Sequence, residues 1–251
     1  MKKQLLYILG ILMTLQVGVS SQMKAATRTW LGSVNSSYFT SGNWNSGVPD
    51  STDNIIINSN APYNLTLTQN HKVASFTING DTLDLGGYTL TITGTCTFNG
   101  GKTTTGIIKP TGTLCHFGGG IIDSRIEANC GYYHMNGSSF LKTTILVSTG
   151  SASSSGTGNC TFSDSLTITH SGVYYFTMGS TNGDNFQNVT ITNNSTHEFY
   201  LGTADSTFIS GNLILNNTSS GGIVTGNTGG VTYLASGKTI SIGSSGFPII
   251  T

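Results

Sequence analysis

The sequence predicts an all-β protein built as a single-stranded, right-handed parallel β-helix of about 23 residues per coil, a solenoid behind an N-terminal cap. Three observations lead there. Six aromatics, Phe117, Phe140, Phe162, Phe186, Phe208 and Tyr233, recur at a nearly constant spacing. A fixed period in this range marks a repeat architecture. Second, short runs follow the aromatics with apolar residues two apart: Leu166/Ile168, Val189/Ile191, Leu213/Leu215 and Ile240/Ile242. That is the period of a strand with one face inward. Third, Thr, Ser, Gly and Asn dominate, Ala is scarce, and no amphipathic run at helical spacing follows Ser20.

Residues 1–26 read as a secretion signal. Lys2 and Lys3 precede an apolar stretch from Leu5 to Val19, too short and too quickly followed by polar sequence for a membrane span. Residues 27–53 form the predicted cap, in which Trp30 and Trp44 cover the open end of the core. From residue 54 to 251 each repeat is one coil, and like side chains stack into interior columns. The six aromatics are assigned to one such column. Asn-Gly pairs at Asn79-Gly80, Asn99-Gly100, Asn136-Gly137 and Asn182-Gly183 supply the turns. The same pairs fit the hairpins of an antiparallel sandwich, the competing fold.

Four cysteines in a secreted chain raise the question of disulfides. Cys96, Cys115 and Cys160 each stand two residues before a Phe, so all three are placed inward, as small buried hydrophobes. A bridge between Cys96 and Cys115 in neighbouring coils is geometrically open, with free thiols as the alternative. Their spacing matches no zinc motif, and no metal or cofactor is expected.

Beyond the signal, seven basic residues face ten acids, and no Lys or Arg occurs between Lys142 and Lys238. Nucleic acid, which needs a basic stripe, is excluded as a partner, and an anionic membrane is disfavoured. A hydroxyl- and amide-rich surface instead suits extracellular polysaccharide or another cell surface.

The densest ionisable group is Asp123, Arg125 and Glu127, flanked in sequence by His116 and His134. Alternation with Ile122 and Ile126 turns the three charges outward. They are the candidate catalytic residues, because paired acids beside an Arg could hold a cation and an acidic sugar. The competing reading is a solvated face of mutually compensating charges. Asp81 and Asp84 are read as turn-stabilising, and His170 and His197 as solvated strand-end residues. Thr167/Thr169 and Thr190/Thr192 would stack as an ice-binding array over two coils only, because Ile214/Asn216 take the next places.

The segment from Thr29-Trp30-Leu31-Gly32 through Asn43-Trp44 and Gly47-Val48-Pro49 to Asp53 resembles the opening of β-helical regions in large secreted, adhesin-like surface proteins of outer-membrane bacteria. Many of those are type IX secretion cargo. Repeats such as Phe186-Gln-Asn-Val-Thr-Ile-Thr and Phe208-Ile-Ser-Gly-Asn-Leu resemble theirs too. The resemblance implies a secreted or surface-attached protein and transfers no catalytic residue. Such proteins usually continue into further modules, and the expectation is a chain cut inside its next coil.

These features favour a non-catalytic secreted or cell-surface repeat protein, in adhesion or as a stalk. The alternatives are a carbohydrate-active β-helix enzyme, lyase or hydrolase, and a carbohydrate-binding module. A cleaving site requires two or more acids, or an acid with Lys or Arg, converging from adjacent coils.

Overall fold

The computed structural model describes residues 25–203, 205–226, 229–244 and 249–250. Most of the predicted signal segment lies outside them. The chain is all-β, with parallel strands stacked as a β-solenoid of about 8 turns at roughly 22 residues per turn.

Each turn contributes to two sheet surfaces. The first face runs from Thr27–Thr29 and Asn54–Ile57 through Ser75–Ile78, Cys96–Phe98, Leu114–Phe117 and Tyr132–Asn136 to Ser155–Gly158. A parallel bridge between Ser154 and Phe176 continues it into the strands Phe176–Met178, Phe199–Leu201 and Ile223–Thr225. The second surface is one long sheet that bends within each turn. Its first leg carries Thr82–Asp84, the start of Lys102–Pro110 and Ser139–Phe140. Its second leg carries Thr89–Ile92, Thr144–Ser148 and Leu213–Asn217. Register shifts between Asp123 and Arg125 and between Phe162 and Ser165 mark the bend.

The sequence explains the interior. On the second leg Ile126, Thr144, Leu166, Val189 and Leu213 share one column, and Ala128, Leu146, Ile168, Ile191 and Leu215 the next. All of them are buried. Stacked turns bring identical positions together, so an outward Asn can also pair with its counterpart. The Asn79 amide donates to Asn58 at 2.8 Å, and the Asn99 amide to Asn79 at 2.9 Å. Behind these sits Gly101 at φ +73°, where a Cβ would lie 2.6 Å from the Gly80 carbonyl.

The aromatic ladder is real but differs from the predicted one in two ways. Phe98 and Phe117 belong to the first face, while Phe140, Phe162 and Phe186 belong to the long sheet. The two sets meet inside, with the Phe117 and Phe140 rings 5.1 Å apart. Within the long sheet Phe140 stacks on Phe162 at 4.5 Å, and Phe162 on Phe186 at 5.2 Å. The column then takes Ile209 rather than Phe208, because Phe186 pairs with Ile209. A one-residue offset sends a side chain to the opposite face of a strand. Phe208 and Tyr233 accordingly stack on each other outside, 51% and 49% exposed.

Cysteines 96, 115, 130 and 160 are all buried and free. Cys96 and Cys115 are direct register partners. Cys160 is interior as expected but occupies another corner, where its backbone N–H donates to Asp184. Burial pushes the Cys160 thiol up to about 12. The thiols of the folded chain should therefore resist a disulfide-exchange reagent such as DTNB, and all four should react in denaturant. Rapid labelling under native conditions would show the inward register to be wrong.

At the N-terminal end Trp30 and Trp44 are buried and pack edge to face at 5.1 Å. The Trp44 indole donates to the Tyr38 carbonyl at 2.7 Å, and the Trp30 indole to the Tyr63 carbonyl at 2.9 Å. Arg28 pairs with the nearly buried Asp53 at 2.9 Å, tying the first strand to the residues before the second.

Interior polar residues are concentrated at two corners. Cys130, Ser148, His170, Asn193 and Asn217 form one register column. Asn193 satisfies its amide there by donating to the carbonyls of His197 and Gly222. His170 is 1% exposed, so the expected solvated strand-end histidine is in fact a core residue. Burial lowers its pKa to about 4, keeping the ring neutral. The other corner holds Ser138, Cys160, Asp184 and Thr207, all buried. Burial raises the Asp184 pKa to about 7, an effect the backbone N–H groups of Cys160 and Gly179 partly offset.

Candidate functional site

Where the long sheet bends, its outer surface opens into a cleft of about 280 Å³. The cleft exists because each turn changes direction there, so successive backbones kink in line. Four turns line it, through Thr105 and Gly106, Asp123 to Arg125, Lys142 and Thr143, and Asp164. Strand alternation decides which side chains enter. Ile122, Ser124 and Ile126 are buried, and Asp123, Arg125 and Glu127 point outward as the sequence predicts.

The structure brings the three candidate residues together with two more. Lys142 Nζ lies 3.5 Å from Asp123 Oδ1, and Arg125 pairs with Glu127 at 2.9 Å. The four side chains are 28% to 58% exposed, so each pair is solvent-screened and contributes at most about 1 kcal/mol. Asp164 accepts from the Ser165 backbone N–H at 2.7 Å and from the Thr143 hydroxyl at 3.0 Å. Those bonds, the Ser165 N–H foremost, hold its carboxyl below the usual range.

Asp84 stands in the same outward column as Thr104 and Asp123. Its Oδ1 accepts from Gly86 N–H and from the hydroxyls of Thr104 and Thr105. Burial alone would raise its pKa, but the Thr105, Gly86 and Thr104 bonds hold the carboxyl below the usual range. Asp81 accepts from Ala61 N–H at 2.8 Å. Both aspartates therefore have the turn-stabilising role expected of them.

His116 and His134 do not flank this group in space. They are register partners on the first face, with rings 5.7 Å apart. Neighbours in sequence are separated because a coil turns the chain onto another face within a few residues. Lys142 and Asp164 escape a local reading for the complementary reason, lying far along the chain from Arg125. One signal points to them: positions separated by whole turns become neighbours, and Arg125 and Asp164 stand close to two turns apart.

Chemically the cleft presents carboxylates, a Lys, an Arg and several hydroxyls, a set able to hydrogen-bond a polyol. A general acid needs a pKa raised toward the working pH. Asp84 and Asp164 are shifted the other way, and the carboxyl that burial does raise, Asp184, is sealed in the interior. Among the described residues no group of three or more His, Cys, Asp or Glu is placed to hold a metal ion. A second cleft, about 270 Å³, lies where Ser163, Gln187, Ser210, Asn185 and the exposed Phe208 line the same sheet. No protein-family model, curated protein or solved structure matches this chain.

Proposed function

We propose that the protein is a non-catalytic, secreted or cell-surface β-solenoid, acting in adhesion or as a rigid stalk. One observation carries this reading: the ionic cleft is open, its charges compensate one another in solvent, and its carboxylate Asp164, like Asp84 bonded to the lining Thr105, is held ionised by hydrogen bonds. Such a surface binds or repels, and neither of these two carboxylates is poised as the proton donor of a glycoside-cleaving site. A solenoid also suits a spacer, because each turn rests on its neighbours and extends the rod by about 4.8 Å. The signal-like residues 1–26 support an extracellular setting, and mass spectrometry of the mature N-terminus would test it.

A second reading is favoured by one feature. Asp123, Arg125, Lys142 and Asp164 converge from adjacent turns, the arrangement that a polysaccharide lyase or hydrolase requires. Incubation with plant, algal and host polysaccharides separates the two. The adhesive reading expects no reducing ends and no unsaturated uronates. Turnover abolished by Asp123→Ala or Glu127→Ala would replace it with the enzyme.

A further inference from the structure

Away from the charged cleft, the first face of the solenoid carries rings on its outer side. Tyr174 and Tyr175 are 46% and 43% exposed. The ring of His197 from the next turn sits 6.0 Å from Tyr174, nearly parallel, and 5.4 Å from Tyr175, edge on. Tyr200 joins them, 5.8 Å from Tyr175. A second group lies toward the N-terminus, where Tyr132 and His116 approach His134 at 5.6 and 5.7 Å.

The register relates the two groups. His134 pairs with Ser155, and Ser154 bridges Phe176, so Tyr132, Ser153 and Tyr175 occupy one outward position in successive turns. Tyr132 and Tyr175 are thus two turns apart, roughly 10 Å along the axis. In the turn between them Ser153 and Ser155 present hydroxyls, and Thr177 adds another beside Tyr175.

We propose that this face binds an extended, uncharged, β-linked polysaccharide, lying along the solenoid axis and stacking pyranose rings on the two aromatic groups. The turn spacing is close to the rise of one sugar in such a chain, so rings two turns apart would meet every second sugar while the intervening hydroxyls bond the one between. Charge points the same way. No Lys or Arg lies between residues 143 and 237, so an anionic polymer would meet no counter-charge on this part of the face. A protein partner would call for a contiguous apolar patch, whereas these rings are separated by serine and threonine. Tyrosine suits the task, pairing a broad apolar face with a hydroxyl that stays in water.

The inference names a ligand for the adhesive reading and rests on it for the extracellular setting. Its test uses binding rather than turnover, so the two can fail separately. The purified chain is run in native gels containing hydroxyethylcellulose, xyloglucan or galactomannan, with alginate and pectin as charged controls. The expected result is retardation by at least one uncharged polymer that persists in high salt. Tyr175→Ala and Tyr132→Ala should each weaken it about tenfold, the loss of one stacking contact. Tyr175→Phe, which keeps the ring, should retain it. Circular dichroism and unreactive thiols verify that each variant is folded. The proposal is overturned if no uncharged polymer retards the wild-type chain, if only charged polymers do, or if both alanine variants bind like wild type.

Discussion

Replacing Phe162 with Ala should cost about 3–5 kcal/mol, the usual range for a Phe removed from a packed core. Phe162 is 2% exposed and stacks between Phe140 and Phe186, so its removal opens a gap that three turns share. In a chain of this size the loss corresponds to a fall in Tm of roughly 6–20 °C at about 2–4 °C per kcal/mol. Phe208→Ala serves as the control. It falls on the same sequence beat but lies outside, and it should change stability by no more than about 1 kcal/mol. Comparable losses from the two variants in thermal or denaturant unfolding would mean that the interior register differs from the one described.

The two polar corners should give stability an unusual pH profile. The Asp184 carboxyl is raised in the folded state from 3.8 to about 7. Its stabilising contribution is therefore complete below about pH 4 and is lost as pH rises through 7. At 1.36 kcal/mol per pH unit the loss is on the order of 4 kcal/mol. His170 has the opposite sign. Its pKa falls from 6.5 to about 4, so the contribution of the neutral ring is complete above 6.5 and is lost as pH falls through 4, on the order of 3 kcal/mol. Between pH 4 and 6.5 the two slopes oppose each other in the wild-type chain, and single variants unmask them. Asp184→Asn should match wild type near pH 4 and melt roughly 8–16 °C higher at pH 8, because the amide keeps an acceptor for Cys160 N–H without charge. His170→Asn, which resembles Asn193 in the same column, should compare best with wild type at low pH and worst near neutrality. A difference between Asp184→Asn and wild type that does not change with pH would show that the carboxyl is not buried uncharged.

The behaviour of Asp184 bears on function as well as stability. A carboxyl with a pKa near neutrality would draw attention as a catalytic acid if burial were ignored. Here it lies inside the column, and the side chains open to a ligand are the outward ones that alternate with the buried set. The fold thus keeps the carboxyl raised by burial away from the surface that a ligand can reach, while the outward Asp84 and Asp164 are shifted down.

Much of this was legible in the sequence because a solenoid writes its structure as a period. The beat of aromatics and the alternation of Leu166/Ile168 with Thr167/Thr169 pointed to an all-β repeat of stacked parallel strands, since a constant interval with a repeated inward residue fits stacked coils better than an antiparallel sandwich. They also determined that Asp123, Arg125 and Glu127 face outward and that Cys96, Cys115 and Cys160 face inward. Only the tertiary structure decided the rest. Whether Phe208 or Ile209 enters the core depends on a single residue of offset, which a period that fluctuates from coil to coil cannot specify. Which distant residues share a surface depends on how many turns separate them and where each turn bends. That is why Lys142 and Asp164 join the cleft while His116 and His134 leave it for the first face. The burial of His170 follows the same logic: its column is interior because Ser148 and Asn193, one turn below and above, are interior, a fact held by the stack rather than by the residues around it in the chain.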